Sequence, residues 1–282
     1  DVYKRQTFTR FVVDRTAVQD HRTLLTWWPA GIAGAVAAIG VGIGPWALVT
    51  IYLYWQWFHY VRQSWGIVRA YERRAGSPIP EPGSLFTAVF YSVPVWGILH
   101  RSHQDPDRFL LIDVWTVPVP ALVVDVAGVV AAILVLVWTV SRLRAWTRGE
   151  LPVAHTLMVS SHLLVFAVGY VAIGDIDYGW LTINIWHNAQ YILFVWHVNN
   201  RQAEGGRRSG LVQRLCAADR VVWYVAASVV ASTVVYGVLG LTLAAAVTPV
   251  IVYQAINFHH YVTDSRIWKG HRPSAQQRLE LG

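Results

Sequence analysis

Long apolar runs separated by short polar segments make up most of this chain. Several runs, among them Trp28 to Gly42, Pro120 to Val140 and Leu241 to His260, approach or exceed the roughly 20 residues that span a bilayer as a helix. Eight membrane-spanning helices are predicted from the runs and their breaks: 26–42, 46–70, 84–101, 119–141, 154–174, 179–200, 220–238 and 241–264. We therefore expect an all-α fold, a polytopic transmembrane helix bundle of about eight spans.

Composition supports this prediction and limits the chemistry. The chain is 55% hydrophobic and 14% charged, and a soluble domain of this size could not bury all of its apolar helices. Lys4 and Lys269 are the only lysines, which disfavours Schiff-base chemistry inside the membrane. Cys216 is the only cysteine, so an internal disulfide and a thiolate cluster are excluded. The chain starts with Asp1, which is typical of a truncated N-terminus.

The distribution of arginine predicts the orientation of the spans. Three of the predicted links are basic and fall on one side of the membrane, which is cytoplasmic because arginine and lysine are retained there. The link at 102–118, on the other side, is mostly acidic. We expect a multi-pass protein of a bacterial-type inner membrane with both termini in the cytoplasm, namely the segment 1–25 and the basic tail 265–282. The basic links contain Arg73 and Arg74; Arg142, Arg144 and Arg148; and Arg201, Arg207, Arg208 and Arg214.

The histidines are predicted to lie at similar depths. Of eleven, His21 and His271 fall in the tails, and His100 and His103 fall at the outer end of the third span. The other seven fall in the inner half of a span or at its cytoplasmic end: His59, His155, His162, His187, His197, His259 and His260. At a rise of about 1.5 Å per residue, the deepest of these lie roughly 12–15 Å from the inner ends of their spans.

Helical phase adds further polar residues to the same faces. His155 and His162 are seven residues apart, so they share a face. Similar stripes occur in three other spans: His59 with Gln63; His187, Gln190 and His197; and Asn257, His260 and Asp264. Polar groups in a bilayer are costly and usually face a bundle interior or a cavity. The alternative for any single histidine is a packing residue bonded to a carbonyl group, or an interfacial residue.

This set of side chains is suited to a transition metal. Imidazole and carboxylate groups bind iron, zinc, copper or manganese. The residues predicted to bind metal directly are His59, His162, His187, His259, His260 and Asp264. Further ligands, or hydrogen-bond partners of the ligands, are expected among His155, His197, Gln63, Gln190, Gln254 and Asn257. Asp125 interrupts the run "VVDVAG" and is another candidate functional acid, because an unpaired carboxylate in a membrane is expensive.

The segment "NFHHYVTD", with its histidine pair at a cytoplasmic helix end, resembles the membrane histidine-box di-iron oxygenases, such as fatty acid desaturases and hydroxylases. The chain lacks the HxxxH and HxxHH boxes, and its one HxxH, His100 to His103, falls on the outer side. The bacterial membrane carotenoid-cleaving dioxygenases are similar in being polytopic proteins with iron and histidine. These resemblances imply an iron site, of two ions in the di-iron case, that oxidises a lipid or isoprenoid substrate with dioxygen.

Other functions are compatible with the same residues. Two histidines on facing helices suffice as axial ligands of haem b, so an electron-transfer protein is one alternative. A metal or proton transporter is another, since histidine and aspartate chains can line a pathway. No Rossmann or flavin fingerprint is visible, so an oxidoreductase would need a separate electron-donor protein. Retention of arginine in the cytoplasm, next to membrane lipids, is enough to explain the basic links. No nucleic-acid partner is expected.

Overall fold

The structure, a computed structural model, describes residues 22–75, 79–204, 214, 216–242 and 248–267. The N-terminal segment to residue 21, much of the basic link after residue 204 and the tail beyond residue 267 lie outside the described residues. Within them there are eight α-helices of 15 or more residues. These are α1 (Arg22–Gly42), α2 (Pro45–Arg74), α3 (Gly83–Gln104), α4 (Ala121–Thr147), α5 (Val153–Ala167), α6 (Ile176–Glu204), α7 (Val221–Thr242) and α8 (Thr248–Ile267).

Each of the eight predicted spans overlaps one of these helices. Three described helical segments are long and apolar enough to cross a membrane: α3, α4 and the segment Val153–Ala172. That segment joins α5 to a π-helix, Val168–Ala172. Two shorter stretches, Trp27–Gly42 in α1 and Val221–Val230 in α7, are apolar as well. The protein is therefore mostly helical, and its helices are consistent with a membrane protein.

The described residues are mostly helical, as the all-α prediction expects, and one short strand pair interrupts the helices. Strand β1 (Arg108–Phe109) pairs antiparallel with β2 (Ile112–Asp113) in a small hairpin between α3 and α4. Both turn residues, Leu110 and Leu111, have positive φ angles of 52° and 65°, which bulky side chains rarely adopt. The Leu110 N–H donates to Asp177 Oδ1 at 2.8 Å, and this bond helps to hold the turn.

The chain divides into two compact units. Residues 49–187 form one, here called the middle unit, and residues 1–48 and 188–282 form the other, the terminal unit. In the middle unit, α3 packs against α4, α5 and the π-helix. Its buried positions recur at intervals of three and four residues, as expected for a helix with one face in a core. They include Phe86, Val89, Phe90, Val93, Gly97, Ile98 and Arg101.

One close approach in the middle unit depends on glycine. A Cβ atom at Gly179, in the second turn of α6, would collide with the Gly169 carbonyl oxygen of the π-helix. The start of α6 is fixed nearby, because the Asp175 side chain accepts a hydrogen bond from the Tyr178 N–H at 3.0 Å, as a helix-capping residue does. The acidic segment at residues 175–177 is therefore a helix start.

In the terminal unit, α1 packs against α8. A Cβ atom at Gly40 would lie 2.9 Å from Ile251 Cγ1, so the end of α1 lies close to the start of α8. Asn200, near the end of α6, donates to the carbonyl oxygen of Cys216 at 2.9 Å. Cys216 is buried.

Candidate metal-binding histidines

His59 of α2 and His187 of α6 are buried neighbours in the middle unit. Their ring centroids are 5.4 Å apart with an interplanar angle of 68°, so the edge of one ring faces the plane of the other. The Nδ1 atom of His187 is buried and has no hydrogen-bond partner among the described residues. A buried polar atom without a partner is costly, so this nitrogen is a candidate ligand atom.

A chain of three hydrogen bonds links α2 to α6 beside this histidine pair. Trp180 Nε1 donates to Gln56 Oε1 at 2.6 Å. Gln56 Nε2 in turn donates to the Tyr60 hydroxyl group. The Tyr60 hydroxyl donates to Asn184 Oδ1 at 2.6 Å. The Tyr60 ring centroid also lies 4.1 Å from that of His187, so the chain ends against the candidate ligand.

The third predicted metal ligand of the middle unit, His162 on α5, has an aromatic environment. Its ring stacks on Phe90 with centroids 3.9 Å apart and planes inclined by 6°. Phe166 and Trp186 lie against other sides of the ring, with centroids 4.8 and 5.9 Å away. The Nε2 atom of His162 contacts the Phe90 carbonyl oxygen at 3.3 Å, and because a carbonyl only accepts, the histidine donates.

Pro94 explains why that carbonyl is available. In an α-helix the Phe90 carbonyl would accept a hydrogen bond from the N–H four residues later, but residue 94 is proline and has no N–H. His162 therefore supplies the donor that α3 lacks. The geometry favours a structural role for Nε2, while Nδ1 has no hydrogen-bond partner among the described residues.

A mutant cycle tests this role of His162. His162→Phe keeps the ring but removes the donor, and we expect it to destabilise the protein by about 1–3 kcal/mol, the cost of an unsatisfied buried group. In a Pro94→Ala background, the alanine supplies the missing backbone N–H, so the same change should cost clearly less. Thermal unfolding of the four proteins in detergent measures both values. Equal costs in the two backgrounds would contradict the structural role.

The other predicted site residues of the middle unit lie in different surroundings. His155 is buried with its ring 5.2 Å from that of Phe86, and neither ring nitrogen has a hydrogen-bond partner among the described residues. The side-chain amide of Gln63 likewise has no such partner within the described part of the chain. Asp125 is exposed and lies four residues after the start of α4, about 6 Å along its axis. It is near the end of the span and not in its middle.

The terminal unit contains a pair formed by a histidine and a carboxylate, His260 and Asp264. His260 Nε2 lies 3.5 Å from Asp264 Oδ2, one helical turn further along α8, and both side chains are about nine-tenths buried. On the same helix, His259 Nε2 lies 3.4 Å from the Thr263 hydroxyl group. Gln254 and Asn257 are buried, whereas Gln190 and His197 of α6 are partly buried. A histidine and an aspartate four residues apart can bind one ion from the same helix face.

The six predicted metal ligands are thus divided between the two units. The middle unit contains His59, His162 and His187, and the terminal unit contains His259, His260 and Asp264. Two pairs have the proximity that shared ligands need, His59 with His187 and His260 with Asp264. That all six belong to one metal centre stays a prediction.

The two histidines of the HxxH segment, His100 and His103, have backbone partners. His100 Nδ1 lies 3.1 Å from the Tyr170 carbonyl oxygen, and His103 Nδ1 lies 2.9 Å from the Val119 carbonyl oxygen. Each ring nitrogen donates, since a carbonyl only accepts. Both contacts join an α3 side chain to the backbone of another segment.

Sequence reasoning missed the polar chain from Trp180 to Asn184. Tyr60 is adjacent to His59, and adjacent helical residues point to different faces, so the histidine stripes do not include it. The available signal was spacing: Gln56 and Tyr60 are four apart on α2, and Trp180, Asn184 and His187 follow intervals of four and three on α6. Two polar stripes of this kind on long helices predict a polar interface, although they do not identify the pairs.

Comparison with family models, with curated proteins and with solved structures found no match for this chain.

Proposed function

We propose that this chain is an integral, multi-pass membrane protein that binds iron through histidine side chains and acts as an oxidoreductase on a lipid or isoprenoid substrate. The location proposed is a bacterial-type inner membrane, with all eight helices as spans, both termini in the cytoplasm and the metal on the cytoplasmic side. Support for the membrane part comes from the three long apolar helices and from the overlap of every predicted span with a helix. Electrons would come from a separate donor protein.

The observation that carries the metal proposal is the His59–His187 pair. An imidazole nitrogen binds a transition metal at about 2.0–2.1 Å, which puts the ring centroid about 3.2 Å from the ion. Two imidazoles on one ion at a roughly tetrahedral angle then have centroids about 5 Å apart. The 5.4 Å separation fits this value, and the unpartnered Nδ1 atom of His187 fits a ligand atom.

The same geometry disfavours haem held between these two rings. Axial imidazoles lie on opposite sides of the haem iron, so their centroids would be about 6.4 Å apart with the macrocycle between them. His59 and His187 are closer than this and meet edge to face. A bound metal ion is therefore the better fit for this pair than a haem group.

Iron is proposed over zinc because the resemblance to the histidine-box oxygenases implies it, with two ions expected. Bound iron would supply dioxygen activation, which side chains alone cannot perform. The protein would hold the ion and enclose it in apolar surroundings. The His260–Asp264 pair offers an imidazole and a carboxylate of the type that iron oxygenases use, and we propose both residues as ligands.

Metal analysis of purified protein tests the proposal. We expect about two irons per chain without a Soret band, and His59→Ala or His187→Ala should each lower metal affinity more than 100-fold, since even partners of ligands contribute about 10–100-fold. His260→Ala is expected to lower the iron content as well. The matched control is His103→Ala, because His103 contacts only a backbone carbonyl in its described bonds.

Several outcomes would contradict the proposal. Equal metal content in wild type, His59→Ala and His187→Ala would exclude this pair as ligands. A strong Soret band would favour the electron-transfer alternative, and retention of full iron content by His260→Ala would exclude His260. Turnover with a lipid or isoprenoid substrate, dioxygen and a reductant tests the oxidoreductase part separately.

A further inference from the structure

Trp180 sets the direction of the hydrogen-bond chain between α2 and α6. An indole N–H can only donate, so the atom of Gln56 that faces Trp180 must be its oxygen. The amide nitrogen of Gln56 then faces Tyr60, whose hydroxyl oxygen accepts the bond. The proton of that hydroxyl is donated to Asn184 Oδ1 at 2.6 Å. One obligate donor therefore fixes the orientation of two amides and one phenol.

This arrangement limits what Tyr60 can do. Its hydroxyl group already accepts one hydrogen bond and donates its only proton to an amide oxygen. Because an amide oxygen only accepts, the phenol proton is directed at Asn184 in this arrangement. The hydroxyl group therefore serves as a link between Gln56 and Asn184. What remains fixed is the position of its ring.

That fixed ring borders the candidate metal ligand. The Tyr60 centroid lies 4.1 Å from His187 with the planes inclined by 37°, closer than the His59 ring at 5.4 Å. Asn184, which receives the Tyr60 proton, precedes His187 by three residues and shares its face of α6. The hydrogen-bond chain thus contacts the face of α6 that carries His187, and it fixes the Tyr60 ring against which the His187 imidazole packs.

We propose that the Trp180–Gln56–Tyr60–Asn184 chain is a positioning device that keeps the His187 imidazole in its metal-binding orientation. This inference depends on the proposed function in one respect, namely that His187 binds a metal ion. Metal ligands are commonly oriented by groups that do not touch the metal, and loss of such a group typically weakens metal binding by about 10–100-fold. Here the His187 ring is oriented by packing against the Tyr60 ring, whose hydroxyl group is fixed by two hydrogen bonds.

Tyr60→Phe tests the device because it removes the hydroxyl and keeps the ring. With Co²⁺ as the probe in detergent-solubilised full-length protein, we expect the dissociation constant to rise about 10–100-fold. The visible d–d absorption of bound Co²⁺ should also shift, because this band reports ligand geometry. The control is Tyr54→Phe, which removes a hydroxyl bonded to Ser102 Oγ and to the Val117 N–H, both at 2.9 Å. Its Co²⁺ affinity and spectrum should match the wild type.

A pair of variants at Asn184 provides a second readout. Asn184→Asp keeps an acceptor oxygen for the Tyr60 hydroxyl, whereas Asn184→Leu removes it. We expect the aspartate variant to bind Co²⁺ clearly more tightly than the leucine variant and to have a spectrum closer to that of the wild type. Equal affinities and spectra in the two variants would overturn the inference, whatever their thermal stabilities.

The two proposals fail in different ways. If His59→Ala and His187→Ala bind Co²⁺ as the wild type does, the metal site itself is wrong. If those variants lose Co²⁺ while Tyr60→Phe and Tyr54→Phe behave alike, the metal site stands and the positioning role is wrong. A fall in the unfolding temperature of Tyr60→Phe with an unchanged dissociation constant and spectrum also excludes the positioning role, since the bond is then purely structural.

Discussion

Arg142→Leu is expected to destabilise the protein by about 3–5 kcal/mol, the usual cost of leaving one partner of a buried ion pair alone. Arg142 Nη2 donates to Glu81 Oε2 at 2.5 Å, and the two side chains are only 5% and 1% exposed. Arg142 Nη1 also donates to the Thr156 hydroxyl at 3.3 Å, and the guanidinium carbon lies 5.3 Å from the Trp138 ring. Without Arg142, the Glu81 carboxylate would remain buried and uncompensated.

The double variant Glu81→Leu, Arg142→Leu compares the loss of the whole ion pair with the loss of one partner. Because it leaves no buried charge, it should be more stable than Arg142→Leu alone, even though two side chains are changed. Arg144→Leu is the control, since Arg144 is exposed on the same helix and its loss should change stability by no more than about 0.5 kcal/mol. Unfolding in mixed detergent measures these three variants and Glu81→Leu alone, which completes the cycle. Additive costs of the two single changes in the double variant would contradict a coupled pair.

Local sequence patterns predicted the helices well and their ends less well. The span predicted at 119–141 overlaps α4, which begins at Ala121 and continues to Thr147. Arg142 and Arg144 are therefore helical residues and not part of a loop. A charged residue marks the end of an apolar run in the sequence. The helix can continue past that residue where a partner of opposite charge compensates for its burial. The compensation for Arg142 comes from Glu81, 61 residues earlier in a loop rich in proline and glycine. No local pattern reveals that partner.

The candidate site shows the same limit. Helical rise and phase predict a histidine at a similar depth on α2 and on α6, and in the structure His59 and His187 are neighbours. Phase also separated Tyr60 from His59, yet both rings contact His187. A side chain on one helix can touch two consecutive residues of its neighbour, because the contact lies between their directions. The angular positions of residues on one helix therefore cannot predict contacts that depend on how two helices cross.

His162 shows a different limitation. The sequence predicts a polar side chain at a depth suited to metal binding, and the position of Pro94 predicts an orphan carbonyl at Phe90. Nothing in the sequence links the two, because they lie on different helices 72 residues apart. A proline inside an apolar span is a reason to look for a donor on a neighbouring helix before a buried histidine is assigned to a metal.

Arg101 holds the end of the π-helix, and its replacement is expected to have a comparably large effect. The side chain is buried at the end of α3. Its Nη1 atom donates to the Gly174 carbonyl and to Gln104 Oε1, both at 2.7 Å, and its Nη2 atom donates to Gly169 at 2.7 Å and to Ile173. The last carbonyl groups of a helix have no partner within it, so one guanidinium satisfies three backbone acceptors where the π-helix ends.

Arg101→Leu should therefore destabilise the protein by at least about 3 kcal/mol, since hydrogen bonds to a charged group contribute about 1.5–3 kcal/mol each and three carbonyl groups lose their donor. Arg101→Lys should recover only part of this stability, because a lysine ammonium group donates from a single atom and cannot reproduce the planar fork of a guanidinium.

Arg108→Leu is the control, because Arg108 forms an exposed pair with Asp113 that contributes little. Thermal unfolding in detergent gives the order of stability, and equal unfolding temperatures for Arg101→Leu and Arg108→Leu would exclude this capping role. Backbone hydrogen exchange at residues 169–174 locates the effect: it should accelerate in Arg101→Leu and stay unchanged in Arg108→Leu, because only the first variant releases the end of the π-helix.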